Sequence, residues 1–79
     1  MTVTGSATPT SGAAETYSAT HAGTATGVTY TFTTDDGSAT IAGGDITFST
    51  AGSFTVTATA TKAGATGSGT QGTLAVTAS

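Results

Sequence analysis

The chain has 79 residues, a single basic residue (Lys62) against four acids, a formal net charge of −3 and no cysteine. One lysine cannot neutralise the phosphates that nucleic-acid binding requires, nor hold an anionic membrane surface. No apolar run approaches a membrane span, and without cysteine there is neither a disulfide nor a thiolate zinc site.

A chain this short reads as one domain, residues 1–79, burying only roughly 60–65% of its unfolded surface. Its folding free energy must come from apolar burial and sheet hydrogen bonds. Thr-x-Thr runs dominate it: Thr29 to Thr33, Thr55 to Thr61 and Thr73 to Thr77. Each alternates a hydroxyl with an apolar side chain, save for Ala75 in the hydroxyl phase of the last, and a period of two gives a strand one buried and one wet face. Thr is β-branched and favours that backbone.

In chain order, a short first strand is expected over Thr2 to Gly5, broken by Thr8-Pro9-Thr10-Ser11-Gly12 because Pro9 has no amide hydrogen. A second covers Ala14 to Thr20, and Gly23 to Gly27 turns the chain. A third covers Val28 to Thr33 and ends at the Asp35-Asp36-Gly37 turn. A fourth covers Ser38 to Ala42, and Gly43-Gly44-Asp45 makes a tight hairpin. A fifth covers Ile46 to Ser49, with a corner at Thr50-Ala51-Gly52. The sixth, Ser53 to Thr61, is the longest. Ala63 to Gly72 reads as a glycine-rich loop, and Thr73 to Ala78 as the last strand. Helical periodicity is absent. The spacing of turn signals predicts seven strands in an antiparallel sandwich. The first and last strands are the edges expected to pair with another chain.

The stretch from Ile46 to Ala58 resembles the end of the fifth strand, the corner and the sixth strand of bacterial and phage immunoglobulin-like domains. Phe54 stands where such domains usually carry a corner tyrosine, and lacks the hydroxyl for the corner hydrogen bond. Val56 and Ala19 or Tyr17 stand where antibody domains have paired cysteines, and Tyr30 or Phe32 where they have a core tryptophan. Val28 to Phe32 resembles the third strand of the polycystic-kidney-disease-type subgroup, and Asp35-Asp36-Gly37 is similar to its acidic turn. The resemblance implies an immunoglobulin-like sandwich. It also directs attention to phage virions, where such domains occur in tail, capsid and decoration proteins, and to bacterial adhesins.

Asp35, Asp36 and Asp45 could offer oxygens to calcium, but their spacing matches no EF-hand and Asp-Asp-Gly is what a plain turn needs. His21 with an aspartate and a serine can be written as a triad, yet catalysis demands a gathered, oriented set; His21 reads as an exposed loop residue. Lys62 with Glu15 suggests a lysine–carboxylate crosslink, and reads more simply as an edge-protecting charge. Gly64 to Gly72 lacks the Lys-Ser/Thr ending of a phosphate loop. No catalytic residue, cofactor or metal is expected.

In an immunoglobulin-like sandwich the third, sixth and seventh strands are sheet neighbours. Thr29, Thr31, Thr33, Thr55, Thr57, Thr59, Thr61, Thr73 and Thr77 would then tile one outer face. That face is the candidate interaction surface, whether for subunits, for glycans or, given a flat enough sheet, for ice.

Met1 to Ser6 lacks the basic and apolar regions of a signal peptide. Phage structural proteins fold in the host cytoplasm and need none. The expected function is therefore that of a non-enzymatic accessory domain on a phage virion, as capsid decoration or tail protein, with other virion proteins as partners and bacterial surface glycans as secondary ones. The alternative is an extracellular, adhesin-type module binding surface carbohydrate.

Overall fold

The computed structural model describes residues 1–21, 26–64 and 69–79, and in these it is all-β with no helix. Eight strands are present: β1 (Thr2–Thr4), β2 (Ala14–Thr16), β3 (Ser18–Thr20), β4 (Thr29–Thr34), β5 (Thr40–Ala42), β6 (Asp45–Thr47), β7 (Gly52–Thr61) and β8 (Thr70–Ala78). They form three antiparallel sheets in the orders β1-β3, β2-β6-β5 and β4-β7-β8. The expected turn at Gly23 to Gly27 and the middle of the expected glycine loop fall partly outside the described residues.

The strand expected over Ala14 to Thr20 is two strands. Its alternation runs unbroken through Tyr17, since Glu15, Tyr17 and Ala19 turn inward while Thr16 and Ser18 stay exposed. What changes is the partner. β2 pairs with β6 through Glu15↔Ile46, and β3 pairs with β1 through Ala19↔Val3. The handover falls at Tyr17, whose amide donates to the Gly44 carbonyl at 2.8 Å.

Tyr17 also fixes the N-terminal segment. Its ring lies so close to Gly5 that a Cβ there would come within 2.3 Å of the ring, so only glycine fits. Its hydroxyl donates to the Ser6 carbonyl at 2.7 Å, which gives this buried phenol its partner.

The first strand ends at Thr4, one residue short of the expected Gly5, and Pro9 does more than break it. Pro9 is buried, and Ala7 to Ser11 run alongside the end of β8. Thr77 N–H donates to Ala7 O at 2.8 Å, Ser79 N–H to Pro9 O at 3.0 Å and Ser11 N–H to Ser79 O at 2.8 Å. Both segments advance in the same direction, which is the pattern of a short parallel ladder. Pro9 occupies the point in it where an amide donor is missing.

The last strand begins at Thr70, so Thr70, Gln71 and Gly72 belong to β8 and not to a loop. Gly72 is there for closeness rather than turning: a Cβ would approach Met1 Cγ to 2.4 Å and its carbonyl oxygen to 3.2 Å. The strand expected from Ser38 starts only at Thr40, because the Asp36 turn extends to Ala39, whose amide donates to Asp36 O at 3.1 Å. The expected hairpin joins β5 to β6, but its turn is Gly43-Gly44 alone: Asp45 lies in β6 opposite Ala42, and β6 ends at Thr47 and not at Ser49.

A single cluster of buried side chains joins the sheets. Val3, Tyr17, Ile46 and Phe48 come from the β1–β3 and β2-β6-β5 side, and Phe32, Val56, Ala58, Val76 and Ala78 from the β4-β7-β8 side. Ile46, Phe48 and Val56 are wholly buried. Fully burying each such side chain is worth about 1.5–3 kcal/mol. In this all-β, sandwich-like arrangement the inward residues are those of the predicted phase. Among the described residues Ile41, on the short edge strand β5, is the one exposed large apolar side chain.

Candidate interaction surface

β7 is the centre of the three-stranded sheet, and its registers place the expected threonines together. Thr33 pairs with Thr57 and Thr57 with Thr73, giving one three-hydroxyl row. Thr31, Thr59 and Gln71 give the next, and Thr29 with Thr61 another. Towards the other end, Thr55 faces Ala75 and Ser53 faces Thr77. Along a strand such rows repeat at roughly 6.8 Å, and across strands at about 4.8 Å. All nine expected threonines (Thr29, Thr31, Thr33, Thr55, Thr57, Thr59, Thr61, Thr73 and Thr77) lie on these strands with buried or half-buried residues alternating beneath them.

Exposure follows strand position. Thr29, Thr31, Thr33, Thr73 and Thr77 on the outer strands are exposed, whereas Thr55, Thr57 and Thr59 on the central strand are half-covered by neighbours on both sides. Gln71 Nε2 donates to Thr59 Oγ1 at 3.3 Å, and Thr61 Oγ1 to Thr29 O at 3.3 Å. Ser53, in the phase of Thr55 on the expected sixth strand, belongs to this face, and so does Gln71. Gln71 was hidden inside an apparent loop, where only the Thr-x-Gly-x-Leu spacing around it hinted at a longer strand.

The face carries no charge between its ends. At one end β4 leaves the ladder after Thr34↔Val56, and the side chain of Asp35 takes over its role, its Oδ1 accepting the Thr55 N–H at 2.7 Å. At the other end Lys62 Nζ donates to the Thr26 carbonyl.

The remaining candidates are separate. Asp36 is buried, and its Oδ1 accepts from Ser38 N–H at 3.1 Å and Ser38 Oγ at 2.8 Å. Its Oδ2 has no hydrogen-bond partner among the described residues. Asp45 is exposed, and accepts from Thr16 Oγ1 at 2.8 Å. Asp35, Asp36 and Asp45 are thus engaged with three different groups, and among the described residues no three acids or histidines gather as a metal site would require. His21 is not the exposed loop residue its sequence context suggests. It is half-buried, with Nδ1 against the Tyr30 hydroxyl and the two rings 6.0 Å apart. The pair ties the end of β3 to β4, across the two sides of the core.

Burial raises the Tyr17 phenol above the usual tyrosine range, and the negative charge of Glu15 adds to the rise.

Comparison with known proteins places the chain beside none of them: no known family, no curated protein and no solved structure matches it.

Proposed function

We propose that this chain is a non-enzymatic immunoglobulin-like module of a phage virion, made in the host cytoplasm and attached to other virion proteins as capsid decoration or as part of the tail. The observation that carries the reading is the threonine face. Its rows of hydroxyls, charge-free between Asp35 and Lys62, suit docking to a neutral protein surface and offer no gathered acid, base or nucleophile.

The immunoglobulin-like part of the reading is supported by strand order. β2 and β3 act as one interrupted strand between β1 and β6, so one side of the core runs β1, β2/β3, β6, β5 and the other β4, β7, β8. Counting β2/β3 once gives seven strands, divided four and three as in constant-type immunoglobulin domains. The parallel contact of Ala7 to Ser11 with β8 lets the first strand touch both sheets.

Binding through hydroxyls and backbone leaves salt little to screen. The test is binding to particles that lack this protein, at low and high ionic strength. Binding that varies by less than about tenfold across that range supports the reading. Absence of binding to particles, or preferential binding to isolated bacterial surface glycan, would overturn it in favour of an adhesin-type role.

A further inference from the structure

We infer that the outer edge of β4 is a self-association edge, on which a second copy of this chain pairs its own β4 antiparallel about a twofold axis. The inference rests on the edge geometry and not on the virion reading.

Which way the β4 backbone points follows from β7. In an antiparallel ladder the N–H and C=O of one residue point to the same side, and successive residues alternate. Gly69 N–H donates to Ala60 O at 2.7 Å, which puts the Ala60 carbonyl on the β8 side. Thr55 N–H reaches Asp35, which puts that amide on the β4 side. Thr57, Thr59 and Thr61 therefore bond to Thr33, Thr31 and Thr29. Tyr30, Phe32 and Thr34 are left with both backbone groups pointing away from the sheet, and among the described residues no backbone bond reaches them.

The other edge of the same sheet is managed. Ala7 to Ser11 cover the end of β8. Among the described residues β4 has no such cover, and the strand has none of the devices that keep edges apart: no lysine, no proline, and a register from Thr29↔Thr61 to Thr34↔Val56 without a bulge.

A second copy fits because β4 is self-complementary about Phe32. Twofold pairing there sets Phe32 against Phe32 and Tyr30 against Thr34, all of them residues with outward backbone groups, so each pair exchanges both its bonds. Thr31 then faces Thr33 of the other copy on the hydroxyl face. The Thr33–Thr57–Thr73 row of one copy continues into the Thr31–Thr59–Gln71 row of the other. Charge is compatible with this centre. Asp35 and Asp36 lie beyond the paired segment, opposite Thr29 and Val28, so no acid meets an acid. The product is a closed, six-stranded, two-copy sheet.

The test is sedimentation of the whole chain over a concentration series, with thermal melts of each variant. Thr34→Pro removes an outward amide and places a ring in the path of the second copy, at an edge position where proline costs the internal ladder nothing. The double substitution Thr31→Lys with Thr33→Lys sets like charges against each other across the axis, on exposed side chains. Thr57→Lys places the same charge on the central strand as a control. The expected result is a dimer for the unaltered chain and for Thr57→Lys, weakened at least about tenfold in the other two while they remain folded. A chain that is monomeric up to about 1 mM overturns the inference. So does a dimer whose strength neither Thr34→Pro nor the double lysine substitution changes, since the interface would then lie elsewhere.

Discussion

The hydroxyl of Tyr17 donates to the carbonyl of Ser6 at 2.7 Å, tying the strand pair β2/β3 to the segment that carries the first strand across to β8. Tyr17→Phe removes this bond and leaves a part-buried carbonyl without its partner. It should cost about 1–2 kcal/mol. Gly5→Ala, which drives a methyl into the Tyr17 ring, should cost more. Urea unfolding of both variants checks the order. If Tyr17→Phe is as stable as the unaltered chain, the hydroxyl does not hold this segment.

Stability should fall in alkaline solution through the same residue. Burial, and secondarily the Glu15 charge, raise the Tyr17 pKa in the folded chain. The folded state therefore holds its proton more tightly than the unfolded state. The contribution is fully present below the unfolded pKa of about 10, and is lost as pH rises from there through the raised folded value. A series of melts across this window should show a steeper decline for the unaltered chain than for Tyr17→Phe. Equal slopes would contradict the assignment.

Phe48 and Phe54 stack at 5.5 Å with their planes 13° apart, but only Phe48 is wholly buried. Phe48→Ala should therefore cost about 3–5 kcal/mol, enough to unfold a small domain without disulfides. Phe54→Ala should cost less, because Phe54 keeps part of its surface in water. Val56→Asp would bury an unpaired charge and should also unfold the chain. Thr57→Ala, on the outer face, should change stability by less than about 0.5 kcal/mol. Circular-dichroism melts give the ranking, and a Thr57 variant as damaged as Phe48→Ala would reverse the assignment of faces.

Asp36 holds its own turn together. Its Oδ1 receives both bonds from Ser38, and Ser49 Oγ in turn donates to Ser38 O at 2.6 Å. Asp36→Ala should lose about 1–3 kcal/mol by releasing these groups. Asp36→Asn keeps the accepting oxygen and removes the buried charge, so it should be tolerated better than Asp36→Ala. A chelator should leave the melting temperature of the unaltered chain where it is. A chelator-dependent fall that Asp36→Asn abolishes would instead assign the partnerless oxygen to a cation.

The phase of the strands was legible because it is local. Phe32, Val56 and Val76 turn inward and their threonine neighbours outward, as the alternation of each run requires. The Gly43-Gly44 hairpin was legible for the same reason. The limits of Pro9 and Gly72 as signals are equally instructive. Both residue types mark breaks when read along the chain, yet Pro9 is buried against β8 and Gly72 lies within β8 to admit Met1. Their reasons are held by residues more than sixty positions away, which no local window contains.

Composition and alternation by themselves determined an all-β chain with one apolar side and one hydroxyl side, poor in charge. They do so because each strand chooses its own buried face from side chains two residues apart. Only the tertiary structure decided the partners: the handover at Tyr17, the crossing of Ala7 to Ser11 to β8, and the cover that this crossing gives to one sheet edge. Pairing joins backbone groups that are alike in every residue, so the choice falls to long-range contacts such as Tyr17 with Ser6 and Gly44, and to which edges the rest of the chain can reach.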